Sequence, residues 1–255
     1  MGWDGSGGFD REHNWVNDRD AAIDITASRM DAEFDNYATG LEACLNRNGE
    51  NSPSANIPMG GFKFTGVAAA SAAGEFLRYQ QLINTQTIFV PAAGLRPTVS
   101  NGSGFTGATE TTSGRPDIVG APFDDTSQEY AQFQIAMPKQ WNEGTITAQF
   151  FWTGSTASAT GVVWGIQGVS CGDSDTIDVA YGTAQEVTDT HSGTAEDIMV
   201  SAASSAITIA GAPAVDEMCF FRVYRDPTNG ADTYADDAIL IGIKLFYTID
   251  AGNDA

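Results

Sequence analysis

From residue 129 to 250, apolar and polar positions alternate in short runs, the period of two that belongs to half-buried strands. In YAQFQIAM, Phe133, Ile135 and Met137 share one face, and Gln132 and Gln134 the other. Ile146, Ala148, Phe150 and Trp152 align in TITAQFFW, as do Val162, Trp164 and Ile166 in GVVWGIQG. DIMVS and AITIA are shorter candidates, and MCFFRVYR and AILIGIKLFYTI are long ones. In the last, Ile239, Ile241, Ile243, Leu245, Tyr247 and Ile249 are expected on one face. Turn-forming clusters rich in Gly, Pro, Asn and Asp separate the runs. Seven or eight such strands, with no long helices between them, predict a mainly β fold: an antiparallel, jelly-roll-like β-sandwich over 129–255.

Upstream, the pattern changes. Residues 85–128 hold one strand-like run, TIFV, followed by a Gly-, Thr- and Ser-rich stretch that reads as a connection. Residues 26–47 read as a helix capped by Thr26 or Ser28. Its apolar positions Met30, Phe34, Tyr37, Leu41 and Cys44 are spaced 4, 3, 4 and 3. That is a coiled-coil seam rather than the wider stripe of a helix lying on its own domain. So narrow a face on so short a helix predicts that it meets copies of itself or another partner through the seam. The polar loop NSPSANIP leads into MGGFKFTGV, and a second helix is expected at about 70–83, with Phe76, Leu77, Tyr79 and Leu82 as its apolar contacts. Together, 26–84 form a short α-helical attachment segment. Residues 1–25 are polar and Gly-rich, with Trp3, Phe9 and Trp15 interleaved. They read as an extended arm that orders by docking its aromatics on a larger partner.

Composition narrows the function classes. The chain has 255 residues, 12 Lys and Arg against 33 Asp and Glu, and a net charge of −21. Phosphate contacts need a basic face, so nucleic-acid binding is excluded. Docking on anionic membranes is disfavoured for the same reason. No apolar run approaches the roughly 20 residues of a membrane-spanning helix, and the acidic, polar opening stretch lacks the pattern of a secretory signal. Three scattered cysteines, Cys44, Cys171 and Cys219, form neither a disulfide framework nor a zinc spacing.

Candidate chemistry is sparse. Two histidines, His13 and His191, are too few for a zinc or iron site, and no G-x-S-x-G elbow accompanies them. Asp124-Asp125 and Asp236-Asp237 are paired carboxylates of the kind a glycosidase uses, but that pairing is spatial. The loop RDPTNGADTYADDA is oxygen-rich, as calcium loops are, without the EF-hand spacing. Arg222 and Arg225 interrupt an apolar strand, and Arg222 has the parity of Met218, Phe220 and Tyr224. The expectation is a protein that is not an enzyme and carries no cofactor.

The pieces NWVND (14–18), ITASRMDAEFDNYATGLEACLNRNGE (25–50) and NIPMGGFKFTGVAAASAAGEFLRYQQL (56–82) occur in the order seen in tailed-bacteriophage tail fibre proteins, and the first 85 residues resemble their virion-proximal region. FDDTSQEYAQFQIAMPKQW (123–141), VVWGIQG (162–168), FRVYRDPTNGADT (221–233) and DDAILIGIKLFYT (236–248) resemble a C-terminal β-domain of phage structural proteins. The resemblance implies a virion structural protein: a homotrimer docked on tail, portal or collar proteins through its N-terminal segment. It also leaves room for contact with a host-surface glycan or protein. The alternatives are a capsid or collar spike and a glycan-binding module.

Overall fold

The computed structural model describes residues 10–42, 60–61, 63–73 and 75–251. The chain divides into two units, Met1–Gly66 and Val67–Ala255.

In the first unit, helix α1 (Trp15–Asp20) begins at Asn14, whose side chain accepts hydrogen bonds from the backbone of Val16 and Asn17. The arm expected to be extended is therefore partly helical. Helix α2 (Ala27–Glu42) starts where Thr26 accepts from Arg29 N. The face it buries is not the apolar one. Glu33, Asn36 and Gly40 are buried, with Arg29 half-buried a turn earlier. The N-terminal segment supplies their partners. His13 N donates to Glu33 Oε2 at 2.7 Å, Asn36 Nδ2 donates to Asp10 O at 3.0 Å, and Arg29 pairs with Asp18.

In the second unit, the helix expected at 70–83 shrinks to the single turn α3 (Tyr79–Leu82). Side chains take the backbone partners that a longer helix would have used. Gln81 both accepts from Ala70 N and donates to Ala70 O, and Glu75 accepts from Ser71 N and Ala72 N. Phe76, Leu77, Tyr79 and Leu82 remain exposed.

The rest is an antiparallel β-sandwich. Its strands are β1 (Thr85–Pro91), β2 (Arg96–Pro97), β3 (Gly107–Thr109), β4 (Ile118–Phe123), β5 (Tyr130–Ala136), β6 (Thr147–Gly154), β7 (Gly161–Cys171), β8 (Gln185–Thr190), β9 (Met199–Val200), β10 (Met218–Arg225) and β11 (Ala238–Thr248). One sheet runs β3-β4-β11-β6-β9, with β1 also paired to β11; the other runs β2-β5-β10-β7-β8. Residues 85–128, expected to be mostly connection, thus contribute to both sheets. In β4, Ala121 and Phe123 face the core, while Gly120 and Pro122 disguise the strand as a turn. Pro122 is tolerated because β3 pairs only as far as Gly120, so its missing N–H leaves no ladder bond unmade on that side.

The predicted faces of β5, β6 and β7 point inward as expected: Phe133, Met137, Ile146, Ala148, Phe150, Trp152, Val162, Trp164 and Ile166 are all buried. β11 departs from its expected parity. A register shift between Leu240 and Gly242 against β6 switches the inward set from Ala238 and Leu240 to Ile243, Leu245 and Tyr247. Ile239 and Ile241 consequently turn away from the core. In the core, Phe133 stacks at 5.1 Å on Phe221, its neighbour in the same sheet, and Trp164 meets Phe150, Phe123 and Trp152 of the other sheet.

Candidate functional site on the five-stranded sheet

On β10, Cys219, Phe221 and Val223 fill the core, which turns Met218, Phe220, Arg222 and Tyr224 to the outer face. Strand register assembles this face in cross-strand rows. Arg96 of β2 opposes Gln132 of β5, Gln132 opposes Arg222, and Arg222 opposes Gln167 of β7. In the next row Tyr130 opposes Tyr224, which opposes Gly165, which opposes Glu186 of β8.

Arg222 is the centre of the arrangement. Its guanidinium lies 4.3 Å from the Tyr130 ring centroid and 5.0 Å from that of Tyr181. Such cation–π contacts contribute about 0.5–2 kcal/mol each, more as water is excluded. With the Gln167 amide oxygen turned toward it, Arg222 donates from Nε at 2.7 Å and from Nη2 as well. The Tyr181 hydroxyl lies 3.4 Å from Gln132 Oε1. Tyr224 crosses β7 to reach Glu186 Oε1 at 2.9 Å, and it can do so because position 165 is glycine: a Cβ there would collide with the Tyr224 ring. Burial and then the bond to Glu186 push the Tyr224 phenol well above the ordinary tyrosine range, so it remains a protonated donor. The other oxygen of Glu186 accepts from Asn229 Nδ2. Half-buried aromatic rings thus stand among amides, a guanidinium and a carboxylate, on a face rimmed by exposed Gln132 and Gln134.

Beside this face, at the edge of the sandwich, Arg96 also borders a groove of about 340 Å³ lined by Leu95, Pro97, Phe105, Thr106 and Val119. Phe105 is 82% exposed at its rim.

Arg225, three residues from Arg222, has the opposite fate. It is fully buried, paired with Asp232 at 2.8 Å, and donates to the carbonyls of Phe123, Tyr234 and Asp236. Asp232 also accepts from Val163 N. This network organises the oxygen-rich acidic loop that follows β10. Its other oxygens are engaged within the protein: Asp226 by Thr228, Asn229 by Ala231, and Asp236 by Ser155 and Thr156. Only Asp237 joins another group. Its carboxylate, with those of Asp124 and Asp125, forms a set whose oxygens lie within 4.8 Å of one another, a donor set suited to a hard cation. Burial and then the charges of Asp124, Asp236 and Asp125 raise the pKa of Asp237, whereas hydrogen bonds from Thr126 and Ser127 lower that of Asp124. This set does not line the groove above.

His191 is buried against Trp152 and Tyr234, and its Nδ1 accepts from Gly193 N. The adjacent Asp189 is bonded to Trp152 Nε1 instead. Among the described residues, no serine–histidine–aspartate relay results.

The residues singled out in the N-terminal unit fall as follows. Met30, Phe34, Tyr37 and Leu41 share one exposed face of α2, with Phe34 58% and Leu41 72% exposed. Cys44, Trp3 and Phe9 lie outside the described residues. Trp15 is half-buried, with His13 tilted against it and Arg29 over its ring at 5.7 Å. It serves the unit's own packing as well as any docking. The outer-face site was legible only through Arg222, whose parity marks it as outward. Tyr130 and Gln132 share that parity on β5, but Tyr181 comes from a loop with no periodic signal.

No protein-family model matches the chain, and no curated protein does. Solved structures similar to it include carbohydrate-binding modules. The CBM35 of Cellvibrio japonicus Abf62 is 11% identical, with a TM-score of 0.37, covering 67% of this chain and all of that one. The family 11 carbohydrate-binding module from Clostridium thermocellum, in complex with a β-1,3-1,4-mixed-linked tetrasaccharide, is 11% identical with a TM-score of 0.32, covering 64% of this chain and 88% of that one. The sandwich assignment rests on the strand pairing itself, since scores this low add nothing to it.

Proposed function

We propose that this chain is a non-catalytic glycan-binding protein that works as a self-associated assembly, with its ligand face on the outer surface of the five-stranded sheet. The observation that carries the reading is the Tyr130–Arg222–Tyr181 stack set among Gln132, Gln134, Glu186 and Asn229. Tyrosine rings offer apolar faces with polar tips, and Tyr and Arg are the side chains on which binding energy concentrates. Amides and a carboxylate on a rigid sheet supply the directional hydrogen bonds that sugar hydroxyls require. The open seam of α2 supports the second element, since joining copies multiplies weak individual affinities. The resemblance to tail fibre proteins supplies the setting: a homotrimer docked on the virion through its N-terminal segment, with the sandwich displayed to a host surface.

The test is titration of the intact protein against a panel of soluble glycans, with Tyr130→Ala and Tyr181→Ala beside it. At least one glycan should bind, and each variant should weaken that binding by about 30-fold, the mark of a ~2 kcal/mol contact. Binding that survives both changes, or no binding at all, overturns the reading. Light scattering should give a trimer, and a particle image should find the protein at the tail or collar; a monomer would remove the assembly half.

A further inference from the structure

The chain carries 33 acidic residues, and Arg19, Arg29 and Arg225 each hold a carboxylate. Arg96 and Arg222 do not, among the described residues, and they stand in the same cross-strand row on either side of Gln132. Pro97 pairs with the core residue Ala131, so Arg96 projects to the same outer side as exposed Gln132. Two strand spacings put the two arginine Cα atoms roughly 9–10 Å apart, a distance that adjacent sugar units can bridge. Arg222 is pre-set. It lies against two tyrosine rings, Gln167 takes Nε and Nη2, and Nη1 has no protein acceptor among the described residues. A guanidinium fixed in this way loses little freedom on meeting a planar carboxylate, for which its fork is matched. Arg96 is exposed and leads into the groove, where Phe105 offers an apolar platform. The one carboxylate in the adjoining row, Glu186, already receives the Tyr224 hydroxyl and the Asn229 amide.

We infer that this row selects an acidic saccharide: a glycan with a carboxylate on its sugar rings, read by Arg222 and Arg96 together, its chain continuing over Phe105. The inference rests on the glycan-binding reading and specifies its ligand class. At physiological salt the Debye length is about 8 Å, so acidic groups remote from this face are largely screened from the two arginines.

The experiment is calorimetry of the intact protein with carboxylate-bearing oligosaccharides (oligogalacturonate and sialyllactose) and with the same compounds after carboxyl reduction to neutral sugars. At least one acidic form should bind ten times tighter than its reduced counterpart. Arg96→Gln, an edge change that leaves the core untouched, and Arg222→Lys, which keeps the charge but not the fork, should each shrink that ratio severalfold. Reduced and acidic forms that bind equally overturn the inference while leaving glycan binding intact. No binding of either form, where another panel glycan does bind, also overturns it; no binding of any glycan overturns both. Competition by poly-glutamate as strong as that by the oligosaccharide overturns it in favour of an acidic polypeptide.

Discussion

Helix α2 and strand β10 are both two-faced, and the molecule treats them in opposite ways. On β10 the apolar face, Cys219, Phe221 and Val223, is closed under the second sheet, and the face with Arg222 and Tyr224 looks outward. On α2 the polar side chains of Glu33 and Asn36 are held by the chain's own N-terminal segment, while Met30, Phe34 and Leu41 stay exposed. The difference follows from what each element has within reach. β10 is a central strand with β5 and β7 on either side and a second sheet below it, so Cys219, Phe221 and Val223 find neighbours on every side. α2 finds, in the described part of its own unit, a backbone N–H for its buried carboxylate and a backbone carbonyl for its buried amide. Its apolar seam is left for something else, and the heptad spacing suits another helix of the same kind.

The comparison breaks most visibly if the closed face of β10 is not what holds the sandwich. Phe221→Ala removes a ring stacked on Phe133 and should cost about 3–5 kcal/mol, a fall in melting temperature of roughly 6–20 °C for a domain of this size. Differential scanning calorimetry measures it, and a fall of only a degree or two would refute the packing described.

Asp232→Ala should come close behind, by about 3–5 kcal/mol, because it strands the buried Arg225 charge. Arg225→Met should be no milder, since the Phe123, Tyr234 and Asp236 carbonyls lose their donor too. Equilibrium denaturation of both variants checks the order.

On the other side of the comparison, Phe34→Asp with Leu41→Asp should dissolve the proposed assembly without changing the melting of the sandwich. Sedimentation measures the first and calorimetry the second. An unchanged mass would mean that the open seam is not the contact.

The smallest effect is electrostatic. The pKa of Asp237 is raised in the folded state, so ionising it costs stability, and stability falls as pH rises from the unfolded carboxylate value through the folded one. Asp237→Asn should therefore stabilise the protein at neutral pH by a few tenths of a kcal/mol after solvent screening, with no gain below both values. The pH dependence of the melting temperature tests the sign. Asp236 runs the other way. Hydrogen bonds from Thr156 and Ser155 lower its pKa, so its contribution is present at neutral pH and lost as pH falls through the folded value.

The alternating runs at Phe133, Phe150 and Trp164, and the existence of α2 with a cap at Thr26 or Ser28, could be read directly, because strand and helix periods are local properties of the chain. So could the fact that Met30, Phe34, Tyr37 and Leu41 share a face. Tertiary structure decided the rest. A bulge between Leu240 and Gly242 reversed part of β11. Pairing with β11 and β3 made a strand of the turn-like Ile118–Phe123. Loop closure carried Tyr181 over Arg222, and strand register put Arg96 and Arg222 in one row although 126 positions separate them in the sequence. Periodicity tells each residue which way to face; which distant residue it then faces depends on pairing and closure, and those are settled only when the whole core forms.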